Sequence, residues 1–269
     1  KAYEIRRAVS DGSFRKCNAT LCPHLGAYRA GKALLPGMPI LAASSFSESL
    51  IATRQYPHTL NLAYDFSCQL ACAMCRSGVR KIARGTSDAE RVEWITDRLI
   101  EFLPNVQRIK IAGAGEPFES VSYMRIMRSL DRAVHGNLKV FLHTNGLRMS
   151  EENWAKHPNM HEFVDQVEVG VDAASEPVYQ LVRERGDFSS LMQNLNFLSG
   201  LRQSGGLKRL LLSFVVQREN FREIESFVRL ARSFHADTIL FHRLADWNVM
   251  PADRFHRKAV HDPSHSEHG

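Results

Sequence analysis

Three cysteines fall within eight residues of the chain, Cys68, Cys72 and Cys75. Three thiolates on one short loop can ligate three irons of a cubane cluster. A [4Fe–4S] cluster ordinarily takes four cysteines, so one iron would stay open, and an open position at a catalytic metal site is where a substrate or cosubstrate binds. A structural zinc site is the competing reading. It calls for a second close pair of Cys or His, and no Cys-x-x-His or second Cys-x-x-Cys stands nearby. Three inert buried cysteines are the remaining alternative, at odds with this density. Cys17 and Cys22 bring the total to five. An odd number, three of them clustered, points away from a disulfide framework and toward metal chemistry in a reducing compartment.

Such a loop needs a scaffold. From Thr59 onward short apolar runs alternate with amphipathic stretches, the pattern of βα units around a parallel sheet. Strands are expected at 60–66, 108–112, 139–143, 166–171, 210–216 and 238–243. Helices are expected from Ser87, where Ser87 and Glu90 read as a capping box, over 120–135 with Gly136 closing, and over 176–201 with a break near Gly186. A further helix follows Asn220 and Glu223, a second candidate capping box. Six such units predict an α/β fold, a partial (β/α)6 TIM barrel with a small irregular N-terminal appendage, since a closed eightfold barrel needs two more units. The expected organisation is a cysteine-bearing appendage and linker over 1–58, a barrel over 59–245 and a polar, His-rich tail over 246–269. His256, His261, His265 and His268 crowd that tail, which is read as solvated and without a helix or strand to fix it.

The 269 residues carry 44% hydrophobic and 24% charged side chains, enough to bury a core without disulfide staples. No run approaches the roughly 18 apolar residues of a membrane span, and Lys1 to Lys16 is too charged for a signal peptide. A soluble, cytoplasmic protein without a membrane partner is expected. The formal charge of +6 is scattered rather than clustered, which reads as solvated helix faces and makes nucleic acid an unlikely partner. The chain opens on Lys1 without Met, so a fragment is expected.

Strand ends on a barrel share one rim, which gathers a second set of candidates. Gly113, Ala114, Gly115, Glu116 and Pro117 follow the second strand; the glycines permit close backbone approach, and Glu116 offers an acceptor to an ammonium group. Thr144, Asn145 and Gly146 follow the third strand and Asp172 the fourth. Ser213 and Gln217 flank the end of the fifth, and His242 and Arg243 end the sixth. Each alone reads equally as a turn or a polar cavity lining.

Cys68-x-x-x-Cys72-x-x-Cys75 after a first strand resembles the signature of the radical S-adenosylmethionine (SAM) superfamily. The resemblance implies a [4Fe–4S] cluster whose open iron is chelated by SAM, and reductive cleavage of SAM to a 5′-deoxyadenosyl radical that abstracts a substrate hydrogen. Gly113 to Pro117 resembles the family's Gly-Gly-Glu-Pro motif for the SAM amino group, with Ala114 in place of a Gly. The same resemblance implies SAM contacts for Gly115, Glu116, Asn145, Asp172 and Arg183, and extends them to Ser213 and Gln217, with His242 and Arg243 as substrate-rim candidates. The segment Asp11 to Pro23, with Cys17 and Cys22, resembles a twitch or SPASM-type piece that holds a second iron–sulfur cluster; two cysteines are too few for one, so the alternatives are further ligands upstream of Lys1, a ligand from His24, or a pair of plain thiols. Expected partners are a peptide, sugar or other small-molecule precursor and an external electron donor such as flavodoxin or ferredoxin. The expected outcome is oxidation, crosslinking or epimerisation. An RNA-modifying radical SAM enzyme and a structural metal-binding protein are the alternatives.

Overall fold

The computed structural model describes residues 57–111, 115–247 and 249–268, with residues 4, 7, 8, 13 and 15. The chain divides into two units, Lys1–Tyr56 and Pro57–Gly269. Cys17, Cys22 and His24 lie outside the described residues, and so do Gly113 and Ala114.

Six strands build the second unit: β1 Thr59–Leu62, β2 Arg108–Ile111, β3 Lys139–Thr144, β4 Val164–Gly170, β5 Arg209–Val216 and β6 Thr238–Arg243. They pair in chain order, each parallel to the next. Among the described residues β1 and β6 do not pair with each other, so the sheet is an open partial barrel of the (β/α)6 kind. No described helix is long and apolar enough to cross a membrane.

Alternation along each strand sorts the side chains. Ile109 and Ile111 of β2, Val140 and Leu142 of β3, and Leu210, Leu212 and Phe214 of β5 are buried in one core cluster. Helices connect the strands, and all but Arg132–His135 add apolar residues to the same cluster. They are α1 Ser87–Phe102, α2 Val121–Arg128, α3 Arg132–His135, α4 Glu151–Ala155, α5 Pro158–His161, α6 Glu176–Val182, α7 Phe188–Gln203 and α8 Ile224–Ser233. Ile126 and Met127 of α2, Leu195 and Leu198 of α7 and Phe227 of α8 contribute. Lys110, Phe141 and His143 occupy the alternate positions, half-buried on the opposite face of the sheet.

Several element ends differ from expectation, each for a local reason. β1 stops at Leu62 rather than Phe66 because Tyr64 N and Asp65 N donate to the buried Tyr123 hydroxyl, at 3.0 and 3.1 Å, instead of continuing the ladder. Thr86, not Ser87, caps α1, accepting from Ala89 N at 3.2 Å; Gly85 at φ 74° places the turn one residue earlier. The long helix expected over 120–135 is two, because Asp131 caps α3 by accepting from Ala133 N at 2.7 Å. The break near Gly186 is present, and Asp187 caps α7.

Asn220 and Glu223 do not form a capping box. Asn220 Nδ2 donates to Asp172 O and Val215 O, at 2.8 and 2.9 Å. Glu223 accepts from Ala174 N at 2.7 Å and from the Ser175 hydroxyl. Asn220 fastens the ends of β4 and β5 together, Glu223 holds the turn after β4, and α8 starts only at Ile224.

The tail corrects a further expectation. It carries a helix, α9 Ala252–Lys258, and Ala259 and Val260 are buried. Arg218 N donates to Lys258 O at 3.0 Å, and Glu267 pairs with Arg218 and Arg222 at 2.9 and 2.6 Å. His265 and His268 contact backbone carbonyls, so these tail histidines serve local structure.

Candidate active site

The cysteine loop leaves β1 through a buried polar knot. The Asp65 carboxylate accepts from Ser67 N at 2.8 Å and from the Ser120 and Ser122 hydroxyls at 2.5 and 2.6 Å. Cys68 exchanges backbone hydrogen bonds with Arg80, and Cys75 N and Arg76 N both donate to Cys72 O. Ala71 N donates to Glu184 O at 3.1 Å, which joins the loop to the end of α6. Cys68, Cys72 and Cys75 carry free thiols. All three line one cavity of about 400 Å³.

Close backbone approach decides the second strand's contribution. Glu116 N donates to Ser67 O at 2.8 Å, and a Cβ on Gly115 would lie 2.4 Å from Asp65 O and 2.8 Å from Ser67 O. Only glycine lets this turn lie against the cysteine loop. Glu116 is buried; Thr144 Oγ1 donates to its Oε1 at 2.6 Å and Asn145 N to its Oε2 at 2.7 Å. Burial outweighs these bonds and pushes the carboxyl up to about 7.

Asn145 sits between Glu116 and the thiols. Its Nδ2 reaches Cys68 Sγ at 3.8 Å and donates to Gln69 Oε1 at 3.2 Å. Arg183 Nη2 lies 2.8 Å from Asp172 Oδ2. Asp172 Oδ1 accepts from Val215 N at 2.7 Å. Burial raises the Asp172 carboxyl despite Arg183, and it opposes the Arg183 cation, which Asp172 and Cys72 hold protonated. Arg183 Nη1 also lies 3.9 Å from Cys72 Sγ. The guanidinium fits because Gly170 has no side chain: a Cβ there would be 2.4 Å from Arg183 Nη2.

Gly115, Glu116, Asn145, Asp172, Arg183, Ser213, His242 and Arg243 therefore line the same cavity as the thiols. Gln217 does not. Its buried amide lies 3.4 Å from Met74 Sδ, which places it behind the loop.

The sequence reading passed over Arg76, His143, Glu168 and Trp247. Arg76 Nη2 donates to Cys75 Sγ at 3.2 Å, and adjacency to Cys75 is its one sequence signal. Glu168 is buried on β4, with His143 Nε2 at 3.5 Å, Lys110 Nζ at 3.8 Å and His242 Nε2 at 4.0 Å. Strand alternation puts these four on one face of the sheet. Burial lowers His143 to about 4, against the pull of Glu168.

These donors suit a cluster. Among the described residues no group of three His, Cys, Asp or Glu is placed to hold a single ion, whereas three free thiols round one cavity of about 400 Å³ leave room for a larger cofactor. Burial pushes the metal-free Cys68 thiol up to about 11 and raises Cys72 as well, so loading iron must displace their protons.

Residues 66–231 match the radical SAM superfamily. That is more than half of the chain, and the chain belongs to this superfamily. It is a radical SAM enzyme whose cofactors are a [4Fe–4S] cluster and SAM. No curated protein matches the chain in sequence.

Solved structures share the fold. Streptococcus suis SuiB bound to S-adenosylmethionine is 14% identical with a TM-score of 0.51, over 71% of this chain and 42% of that one. SuiB bound to its precursor peptide SuiA aligns over 90% of this chain and 52% of that one, at 11% identity and a TM-score of 0.51. A radical SAM methyltransferase from Sphaerobacter thermophilus is 19% identical with a TM-score of 0.50, over 74% of this chain and 61% of that one. The chain spans about half the length of these proteins.

Proposed function

We propose that Cys68, Cys72 and Cys75 hold the cluster and that the cavity they line binds SAM beside a peptide substrate. The observation that carries this reading is the convergence of the three thiols with Glu116, Asn145, Asp172, Arg183 and Ser213 on one cavity. When bound, the cofactors supply a 5′-deoxyadenosyl radical that takes a hydrogen atom from the substrate.

The chain's own groups bind and orient. Glu116, ionised above about pH 7, accepts from the SAM ammonium. Thr144 and Asn145 fix the rotamer of its carboxylate. Arg183, held by Asp172, presents a cation to the SAM carboxylate, and Ser213 and the Asp172 backbone border the nucleoside. His242 and Arg243 face the substrate, with Trp247, which is 68% exposed at the cavity mouth, covering it from water. A peptide is preferred because SuiB, of like fold, is bound to a precursor peptide. Oxidation, crosslinking or epimerisation is the proposed outcome, with the electron supplied by a flavodoxin- or ferredoxin-type donor. Cys17 and Cys22 are kept as candidate ligands of an auxiliary cluster.

The test is an anaerobic iron and sulfide count on reconstituted protein, followed by assay of 5′-deoxyadenosine after reduction with SAM and by mass spectrometry of an added peptide library. About four irons, or about eight with an auxiliary cluster, deoxyadenosine abolished by Cys72→Ala and a mass change in a peptide support the reading. Deoxyadenosine that persists in Cys72→Ala rejects the ligand assignment. Deoxyadenosine without any changed peptide rejects the substrate class alone.

A further inference from the structure

We propose that Arg76 tunes the cluster: its hydrogen bond to Cys75 Sγ raises the reduction potential of the iron–sulfur centre held by Cys68, Cys72 and Cys75. The inference rests on the three-cysteine reading above and adds to it a residue that no motif assigns.

Among the described residues each thiol has one side-chain N–H donor near it. Asn145 Nδ2 stands 3.8 Å from Cys68 Sγ and Arg183 Nη1 3.9 Å from Cys72 Sγ, both long, whereas Arg76 Nη2 is 3.2 Å from Cys75 Sγ. Arg183 shares its charge with Asp172 at 2.8 Å, and Asn145 is neutral. Arg76 therefore offers the shortest of these side-chain donors, from a guanidinium. Its other arm is fixed: Nη1 donates to Phe66 O at 3.0 Å, so the guanidinium spans the loop from the residue after Cys75 to the stretch before Cys68. A planar fork can serve both acceptors at once, which a lysine ammonium on a flexible stem does less well.

Arg76 is 9% exposed, so water and salt screen its charge weakly. Reduction of the centre adds one electron, taken from a low-potential donor, and no bond or proton moves. The added negative charge spreads over the irons and their thiolates. A fixed cation and N–H donor at a ligand sulfur stabilise the reduced form more than the oxidised form, and hydrogen bonds to sulfur and net charge are levers on such potentials. Arg76 thus eases entry of the electron from the donor protein. The guanidinium acts through Cys75, which makes Arg76 a positioning and tuning residue.

The experiment uses the full chain, reconstituted anaerobically as wild type, Arg76→Gln and Arg76→Lys. Iron and sulfide are counted, and the midpoint potential is then read by EPR during a dithionite titration without SAM or substrate. With iron loading equal to wild type, Arg76→Gln is expected to lower the equilibrium constant for one-electron reduction about tenfold, a midpoint more negative by about 59 mV. Arg76→Lys keeps the charge but loses the fork, and is expected to move the same way by less. An unchanged midpoint in fully loaded Arg76→Gln overturns the proposal. If Arg76→Gln does not load, Arg76→Lys decides, a lower midpoint supporting the tuning role and an unchanged one overturning it. Loss of the cluster from both variants makes Arg76 structural and also overturns it. Failure of the three-cysteine reading looks different, since Cys72→Ala would then hold as much iron as wild type and still form deoxyadenosine.

Discussion

Asp172 and Arg183 form a buried ion pair, Oδ2 to Nη2 at 2.8 Å, in the wall of the cavity that the three thiols line. Asp172 follows β4 in a left-handed backbone conformation, φ 61°, and Arg183 ends α6. The pair locks the exit of one strand to the helix that follows it, with the guanidinium lying in the space that Gly170 leaves.

Removing one partner of a buried pair strands the other's charge. Asp172→Asn keeps the shape and tolerates the left-handed backbone, so its effect is electrostatic. It is expected to cost about 3–5 kcal/mol in urea denaturation of the metal-free protein. The double variant Asp172→Asn/Arg183→Met is expected to cost less than the sum of the two single changes, because neither charge is then left alone.

Glu116 separates stability from binding. Its carboxyl is raised by burial from 4.5 to about 7, so the folded chain holds this proton more tightly than the unfolded chain. Its contribution is present below pH 4.5 and is lost as pH rises through about 7. Glu116→Gln is expected to stabilise the metal-free protein above pH 7, by up to about 3 kcal/mol. The same variant is expected to bind SAM at least about tenfold more weakly, as one lost charge-assisted hydrogen bond implies, read by calorimetry on reconstituted protein at pH 8. A more stable protein that binds SAM as wild type does would remove Glu116 from the binding site.

Gly115→Ala should act on the cysteine loop. The added methyl meets Asp65 O and Ser67 O, both backbone atoms, at 2.4 and 2.8 Å, and neither can swing away as a side-chain tip would. A cost of about 1–3 kcal/mol is expected from overpacking. Iron content after reconstitution should fall below wild type while circular dichroism stays that of an α/β fold. Full iron loading would show that the loop yields without harm.

His143 slopes the other way in pH. Burial lowers it from 6.5 to about 4, so the unfolded chain binds the proton more tightly. The stability it contributes is present above pH 6.5 and is lost as pH falls toward about 4. The slope from one such group reaches at most about 1.4 kcal/mol per pH unit. In thermal melts from pH 4.5 to 7, His143→Asn is expected to lose stability less on acidification than wild type, and Glu116→Gln more.

Much of the scaffold was legible in the chain because local chemistry fixed it. Strand β6 falls over the residues its apolar run indicated, and Gly186 marks the break between α6 and α7. Where the sequence misled, a long-range partner took over. Ser87 and Glu90 matched a capping pattern, but the turn at Gly85 put Thr86 in that place. Asn220 and Glu223 matched it too, and instead bind backbone at the ends of β4 and β5, 45 or more residues away for all but the Val215 contact. The tail read as solvated because its apolar residues are few, yet Ala259 and Val260 are buried.

The chain by itself determined the thiols. Three cysteines at that spacing are bound by covalent connectivity to one loop, and a loop after a parallel strand opens at the barrel rim. Glycine beside Glu116 was equally plain, because only a missing Cβ allows such backbone approach. Tertiary structure alone decided which polar groups meet the thiols. Gln217 went behind the loop, while Lys110, His143, Glu168 and His242, from four strands, came to one face. Arg76 turned back onto Cys75 and Phe66 O. Those placements depend on strand register and side-chain packing between strands far apart in the chain, and on a loop's curvature for Arg76, and no local pattern encodes either.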